Sequence, residues 1–264
     1  MKEHILSHLS AECPWRDTLH WYTSIDSTNN EAKRLARAGA PHGTVLIAEH
    51  QTAGRGRLGR SFSSASGMGV YLSVILRPDC PATALMHLTC SVAVAVCDAI
   101  EQVSGLRPGI KWTNDLVFEK KKLGGILTEL SPGSSTVDYA VVGVGINCLQ
   151  QTKDFSPELQ SIATSLSAVT GQPIDPCRLA AAMITVLEHM DRSLLTEKEA
   201  LMEAYKRDCI TLGKEVVVIQ SGQSCAGTAM DLDDNGGLIV CFSDGSVRTV
   251  TSGEVSVRGM YGYI

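Results

Sequence analysis

The chain has 264 residues, 44% hydrophobic and 19% charged, which is typical of a globular protein with one large domain, or one large and one small. Its 23 basic and 28 acidic residues give a net charge of −5, and this argues against a general nucleic-acid-binding protein, which would be basic. Nine cysteines without C-x-x-C spacing indicate small buried hydrophobic residues in a reducing compartment, and they argue against a zinc site built from cysteine pairs.

The N-terminal part shows no organised pattern. Residues 1–20 mix charged and polar side chains with short apolar pieces, and no signal peptide is visible. The most apolar run, residues 85–100, contains polar side chains and is short for a membrane span, so it predicts a core helix. We therefore expect a cytoplasmic protein with no membrane attachment.

From residue 21 onward, strand and helix patterns alternate. The stretch from Asp26 to Glu31 predicts the start of a helix, with Thr28 and Glu31 as a capping box and Gly39 as its C-cap. Further helices are predicted at 82–104, 179–187 and 197–208, and strands at 44–49, 70–76, 110–112, 116–118, 123–130 and 139–146. The pair Gly124-Gly125 predicts a bulge or a close approach of two backbones within a hairpin.

The pattern changes near Leu212. Five short β-rich runs follow, at 216–219, 228–230, 238–240, 247–250 and 255–257, separated by turn signals such as Ser221-Gly222 and Asp244-Gly245. This pattern is typical of a small β-barrel. We therefore predict an N-terminal extension at 1–20, a catalytic domain at 21–212 and a C-terminal domain at 213–264.

The segment from Gly54 to Arg60 has the composition of an anion-binding loop. It holds three glycines, which let backbone N–H groups approach an oxyanion closely, and three arginines, whose planar donors fit carboxylates and phosphates. The segment also matches the dinucleotide fingerprint G-x-G-x-x-G, but that motif needs a helix directly after its last glycine. The serine-rich residues 61–69 are poor helix formers, so we interpret the segment as a mobile anion clamp.

Four ordered motifs carry a resemblance to a known family. They are Asp26-Ser27-Thr28-Asn29, the segment from Gln51 to Arg60, Lys111-Trp112-Thr113-Asn114-Asp115 with 122–127, and Gly143-Val144-Gly145-Ile146-Asn147. In this order and spacing, over residues 21–150, the chain resembles the biotin–protein ligases, and the small C-terminal barrel extends the resemblance to its end. The resemblance implies an α+β fold whose mixed-sheet catalytic domain is related to class II aminoacyl-tRNA synthetases and lipoate ligases, followed by a small SH3-like β-barrel.

The sequence departs from the family pattern in three places. About twenty residues precede the catalytic part, too few for the winged helix-turn-helix that some members carry, so we expect the form without a DNA-binding repressor domain and no nucleic-acid partner. Phe62 stands where the family often has tryptophan, and its ring can still stack on adenine. Thr113 stands where the family usually has proline.

The resemblance implies an ATP-dependent ligase that activates biotin as biotinyl-5'-adenylate, with release of pyrophosphate. Transfer to a lysine of a biotin carboxyl carrier protein, of acetyl-CoA carboxylase or a related carboxylase, then releases AMP. Mg²⁺ is expected with ATP, held mainly by its phosphates, and the protein's own metal ligands are unknown. Two other functions stay open, a lipoate–protein ligase on the same core and a non-catalytic biotin-binding regulator. The oligomeric state is also open, a homodimer included.

The same resemblance assigns roles to individual residues. Lys111 and Arg57 are expected to be catalytic, with Lys111 bridging the biotin carboxylate and the α-phosphate. The biotin-binding set is Ser27, Thr28, Asn29, Gln51, Gly54, Arg55, Gly56, Arg57 and Lys111. The ATP-binding set is Arg57, Arg60, Phe62, Lys111, Asn114 and Asn147.

Several of these positions have structural alternatives. Thr28 is also expected to cap its helix, and Trp112 fits either a wall of the biotin pocket or the core. Asp115 fits either an orienting role or a structural one. Gly143 and Gly145 are expected to let a ligand lie against their strand.

Overall fold

The computed structural model describes residues 1–220, 223–251 and 254–257 of the chain. The described residues contain two β-sheets and six α-helices, so the fold is α+β as predicted. The helices are α1 Lys2–His8, α2 Thr28–Arg37, α3 Leu88–Ser104, α4 Leu166–Thr170, α5 Pro176–Ser193 and α6 Lys198–Asp208.

Seven strands form the larger sheet, in the order β1-β2-β3-β7-β6-β5-β4. The pair β1–β2 is parallel and all other neighbours are antiparallel, so the sheet is mixed. Its strands are β1 Leu19–Ile25, β2 Thr44–Gln51, β3 Gly69–Leu76, β4 Gly109–Lys111, β5 Asp115–Phe118, β6 Lys121–Pro132 and β7 Val137–Asn147.

Helices cover both faces of this sheet, because side chains along a strand point alternately to either side. On one face Leu46, Ile75 and Val141 pack with the alanines of α2. On the other face the neighbouring strand residues join a larger core with α3 and α5. Residues of β7 that share the face of Val141, namely Gly143 and Gly145, therefore lie on the α2 side.

Helix α3 is the core helix that its apolar run predicts. It ends at Gly105, whose φ of 73° is the left-handed conformation that glycine adopts easily at a helix end. The stretch Ala82–Ser104 is long and apolar enough to cross a membrane by length and composition alone, but 72% of its most apolar window is buried in the fold. Its hydrophobicity is explained by this burial.

The second sheet is antiparallel, with the order β11-β10-β9-β8-β12. Its strands are β8 Glu215–Gln220, β9 Gln223–Leu232, β10 Leu238–Phe242, β11 Val247–Val250 and β12 Glu254–Val257. All five predicted strands are present, while the turn predicted at Ser221-Gly222 lies outside the described residues. The buried residues of this sheet belong to the same hydrophobic cluster as the larger core. The domain limits at 20/21 and 212/213 stay predictions.

Two expectations for the N-terminal region were wrong. Residues 2–8, which show no clear pattern in the sequence, form α1, and Ile5 on this helix is almost fully buried. The capping box of Thr28 and Glu31 does not form, because Ser27 is the N-cap and Thr28 is the first helical residue. The hydroxyl of Thr28 instead bonds to residues of the neighbouring strands, and Glu31 pairs with Arg34.

Candidate active site

An open cleft of about 970 Å³, including the part open to solvent, lies on the α2 face of the larger sheet. All the predicted site residues except Gly54 and Asn147 line it. Those that do are Ser27, Thr28, Asn29, Gln51, Arg55, Gly56, Arg57, Arg60, Phe62, Lys111 and Asn114.

The N-terminus of α2 forms one end of the cleft and is held by a buried polar network. The Gln51 carboxamide oxygen accepts hydrogen bonds from the backbone N–H of Thr28, at 2.8 Å, and from its hydroxyl, at 3.1 Å. The hydroxyl of Ser73 lies 2.8 Å from that of Thr28 and 2.7 Å from Oδ1 of Asn29. Because helix N-termini leave backbone donors unpaired, Gln51 performs the capping that the sequence suggested for Thr28.

Asp26, one residue before the N-cap, is fixed in its ionised form. Arg34 and Asn30 both donate hydrogen bonds to its carboxylate. The Arg34 guanidinium holds the pKa of Asp26 far below its usual range, although partial burial acts in the opposite direction. Asp26 therefore braces the turn before α2 and does not line the cleft.

The arginine-glycine segment is folded as a short hairpin over the cleft. Phe62 N–H donates to Gly54 C=O at 2.9 Å, and Gly56 N–H donates to Arg60 C=O at 2.7 Å. Its tip is a single 3₁₀ turn, in which Leu58 has a φ of 55° and is 69% exposed. Gly54 lies at the base of the hairpin, where a Cβ would come within 2.4 Å of the Phe62 carbonyl oxygen. Gly54 therefore permits the hairpin to close, and it does not line the cleft.

Lys111 ends the short strand β4 at the floor of the cleft, and only 6% of it is exposed. Groups from the C-terminal third of the chain fix the turn that follows. Thr211 accepts from Trp112 N–H at 2.9 Å, and the Tyr205 hydroxyl donates to Thr113 C=O at 3.0 Å. The indole N–H of Trp112 donates to Gly236 C=O at 2.8 Å, across to the second sheet. Trp112 thus lines the cleft and anchors the second sheet at the same time.

Arg57 reaches from the hairpin into the cleft and is oriented by Asn114. Its Nη1 donates to Asn114 Oδ1 at 3.0 Å, while Asn114 Nδ2 donates to Ile126 C=O at 2.8 Å. Next to them, Asp115 accepts from Lys122 Nζ at 2.5 Å. Asn114 therefore holds Arg57 in place with a neutral amide.

Glu129 is a central residue of this region that the sequence reasoning missed. Arg55 and Lys33 each donate to its carboxylate at 2.9 Å, and Asn29 donates at 3.0 Å. Burial alone would raise the pKa of Glu129, but these hydrogen bonds outweigh burial and the pKa is lowered. In the sequence Glu129 is one charged residue on a predicted strand, with nothing that marks its partners about 75 to 100 residues away.

The two glycines of β7 allow close packing, but the groups they receive belong to the protein. A Cβ on Gly143 would lie 2.0 Å from Asn29 Oδ1, and one on Gly145 would lie 2.6 Å from the Phe62 ring. Both glycines also line the cleft, so the expectation that a ligand lies against their strand stays a prediction. The predicted close approach at Gly124 is present, since a Cβ there would lie 2.4 Å from the Gly145 carbonyl oxygen.

Asn147 lies at the end of β7 and outside the cleft. Its Nδ2 donates to Thr164 C=O at 3.0 Å, and its Oδ1 accepts from Gln150 at 3.3 Å. Both ends of this buried amide are therefore used to hold the chain that follows β7. The geometry gives no support to the predicted contact between Asn147 and the nucleotide.

Family models match both parts of the chain. A model of the biotin/lipoate A/B protein ligase family matches residues 21–147, and one of the biotin protein ligase C terminal domain matches residues 211–258. The chain is 35% identical over 243 residues to the bifunctional ligase/repressor BirA of Bacillus subtilis, covering 90% of this chain and 74% of that protein. It is 33% identical over 253 residues to the biotin–[acetyl-CoA-carboxylase] ligase of Mycobacterium tuberculosis, covering 94% and 91%.

The chain belongs to the biotin protein ligase family. A solved structure of biotin protein ligase from Aquifex aeolicus, in complex with biotin and ATP, matches it with a TM-score of 0.76 at 30% identity, covering 91% of this chain and 98% of that one. The predicted ligase, its mixed-sheet fold and its SH3-like C-terminal part are thereby confirmed.

Proposed function

We propose that this chain activates biotin as biotinyl-5'-adenylate and transfers it to a lysine of a biotin carboxyl carrier protein. In the first step a carboxylate oxygen of biotin attacks the α-phosphorus of ATP. The bond from that phosphorus to the bridging oxygen breaks, and pyrophosphate leaves with the electron pair. In the second step the lysine amine attacks the carbonyl carbon of the mixed anhydride, an amide forms, AMP leaves, and the amine loses a proton.

The observation that carries this proposal is a pair of cations in one cleft, the buried Lys111 and the hairpin residue Arg57. The first step brings two anions together, and two unit charges 4 Å apart repel by about 4 kcal/mol at an effective dielectric near 20. Cations that are already in position lower this barrier without reorganising during the reaction. Lys111 would bridge the carboxylate and the α-phosphate, with Arg57 as the second cation.

The N-terminus of α2 supports the assignment of biotin to one end of the cleft. Ser27, Thr28, Asn29 and Gln51 line that end with hydroxyl and amide groups, which match the hydrogen-bonding groups of a ureido ring. The bonds from Thr28 to Gln51 and from Ser73 to Asn29 hold three of these side chains in fixed orientations. Arg55 and Gly56 line the cleft beside them.

Arg60 and Phe62 would face the nucleotide, the first its polyphosphate and the second its adenine. Mg²⁺ would enter with ATP. Among the described residues that line the cleft, the one carboxylate is Asp115, and it is paired with Lys122. The ion would therefore be held chiefly by phosphate oxygens, in line with its preference for oxygen ligands and retained waters.

The names of the relatives supply the protein partner. The Mycobacterium tuberculosis and Paracoccus denitrificans proteins are both biotin–[acetyl-CoA-carboxylase] ligases. We propose the carrier protein of such a carboxylase as the acceptor, and the cytoplasm as the compartment.

Pyrophosphate exchange into ATP tests the first step. Exchange should depend on biotin, and Lys111→Ala should lower it by about 10²–10³, the scale for removing one fixed charge-stabilising group. The matched control is Lys120→Ala, which removes an exposed lysine from a hairpin tip of the same sheet.

The activation step and the transfer step can each be contradicted by a separate result. Equal exchange with lipoate would contradict the substrate, and unchanged exchange by Lys111→Ala would remove this lysine from the mechanism. The second step is measured as a mass shift on a purified carrier domain incubated with the chain, ATP and biotin. Adenylate formation without that shift would contradict the acceptor.

A further inference from the structure

His4, Asp175 and Cys177 lie close together where α1 packs against the start of α5, away from the cleft, and His8 lies beside His4 and Asp175. His4 and His8 lie one turn apart on α1, so their rings share one face of the helix. Asp175 is the N-cap of α5, and Cys177 lies in its first turn. None of the four lines the cleft.

The donor atoms lie at distances close to those of a tetrahedral site. His4 Nε2 is 3.3 Å from His8 Nε2 and 3.5 Å from Asp175 Oδ2, and His8 Nε2 is 3.7 Å from the same oxygen. The sulfur of Cys177 lies within 4.8 Å of the donor atoms of His4 and Asp175. Tetrahedral ligands bound to zinc at about 2.0–2.3 Å lie roughly 3.3–3.7 Å from one another. His8 does not belong to the group of donor atoms that lie within 4.8 Å of one another, so the Cys177 sulfur would have to move closer to His8 to bind the same ion.

The local structure already orients the carboxylate. Asp175 Oδ1 accepts from Cys177 N–H at 2.9 Å, which is the helix cap, and this leaves Oδ2 directed at the two imidazoles. A ligand whose other oxygen is hydrogen-bonded is held in position, as is usual for metal-binding carboxylates. Helix capping thus accounts for one oxygen of Asp175 but not for the approach of two imidazole nitrogens to the other.

The two imidazoles face each other through the same nitrogen. At 3.3 Å between the Nε2 atoms of His4 and His8, only one hydrogen fits between them, so one nitrogen acts as an acceptor. A cation between the rings satisfies both lone pairs and the carboxylate at once. The sulfur of Cys177, which is almost fully buried, would be a softer ligand than the nitrogen and oxygen atoms. Binding as thiolate releases the thiol proton to solvent.

We infer that His4, His8, Asp175 and Cys177 form a zinc site that fastens α1 to α5. Two imidazoles, one thiolate and one carboxylate are all ligands of Zn²⁺, and four protein ligands leave no open position for substrate. The site is therefore structural, and it makes the stability of the N-terminal segment depend on zinc. This inference does not rest on the proposed function.

The test is zinc binding by the full chain after removal of metals with a chelator. Binding is measured by competition with a chromophoric chelator, and the zinc content after dialysis is measured by mass spectrometry. We expect one ion per chain and a higher melting temperature with zinc. The double variant His4→Ala/His8→Ala should weaken binding by more than the roughly 10–100-fold cost of losing one supporting residue. Both rings are exposed, so this variant should keep its fold.

Matched controls distinguish this site from other histidines and cysteines. His189→Ala removes another exposed imidazole and Cys225→Ser another thiol, and both should bind zinc as the parent chain does. With Co²⁺ as the probe, Cys177→Ser should lose the thiolate-to-metal charge-transfer band while Cys225→Ser keeps it. Absence of stoichiometric binding, or unchanged affinity in the double histidine variant, would overturn the inference. If Cys177→Ser fails to fold, the histidine variant alone decides.

Discussion

The hydroxyl of Tyr205 holds the backbone next to Lys111, so removing it tests how this proposed catalytic lysine is positioned. Tyr205 is fully buried and donates to Thr113 C=O, two residues after Lys111. The substitution Tyr205→Phe keeps the ring and leaves this carbonyl without its donor. An unpaired buried acceptor costs about 1–3 kcal/mol. For a chain of this size, that cost lowers the melting temperature by roughly 2–12 °C.

The same change should slow adenylation, because a shift of about 1 Å in a reacting group can cost up to ~10²-fold in rate. Chemical denaturation measures the first effect, and the biotin-dependent exchange rate at saturating substrates measures the second. The control is Tyr139→Phe, at a buried tyrosine on β7 that lies outside the cleft. A Tyr205→Phe variant as stable and as active as the parent chain would refute this account of how the turn is held. Lost stability with unchanged exchange would limit the role of Tyr205 to folding.

Three further predictions concern the hairpin and its supports. A Cβ on Gly145 would lie 2.6 Å from the Phe62 ring, so Gly145→Ala should displace that ring. The KM for ATP, from exchange rates, should rise several-fold. The affinity for biotin, measured by calorimetry, should not change. Because the pKa of Glu129 is lowered in the fold, its carboxylate stabilises the protein above the ordinary range for glutamate, and this contribution is lost as the pH falls through the lower folded value. Glu129→Gln should remove that pH dependence from denaturation curves and free Arg55; curves that keep it would assign the effect to another group. Trypsin should cut the free protein near Arg55, Arg57 or Arg60 in the hairpin, and biotin with ATP should suppress the cut; equal cleavage with saturating ligands would contradict closure of the hairpin.

Much of the fold follows from local sequence patterns, and the structure contains most of the strands and helices that these patterns predict. Strands and long helices have periods that one sequence reveals, and Gly105 marks the end of α3 because few other residues adopt its φ so easily. Helix α1 was not predicted because only Ile5 and Leu9 of its segment are buried, and two residues are too few to show a helical period of hydrophobic positions. The one available indication of a helix there was the spacing of four between His4 and His8, which places both on one face of a helix.

The candidate site was predictable to the extent that its residues lie within motifs. The hairpin, the N-terminus of α2 and Lys111 come from separate stretches, and the structure brings them to one cleft. Their supports were not predictable, because Tyr205 and Glu129 act on residues about a hundred positions away and have no local pattern. What the sequence predicts about glycines is limited in a similar way. The sequence indicates that something approaches Gly145, but it cannot tell whether that group is a ligand or the ring of Phe62.

The distribution of charge over the hairpin distinguishes its arginines, which the sequence treats alike. Arg55 shares Glu129 with Lys33, so its charge is compensated within the protein. Arg57 is held by the neutral amide of Asn114, and it has no acidic partner among the described residues. A neutral partner fixes the direction of a guanidinium without cancelling its charge, and this is the arrangement that stabilises an anion arriving later. The structure thereby separates an arginine that braces the hairpin from one whose charge remains available to a substrate. This separation is the physical reason for choosing Arg57 as the second cation beside Lys111.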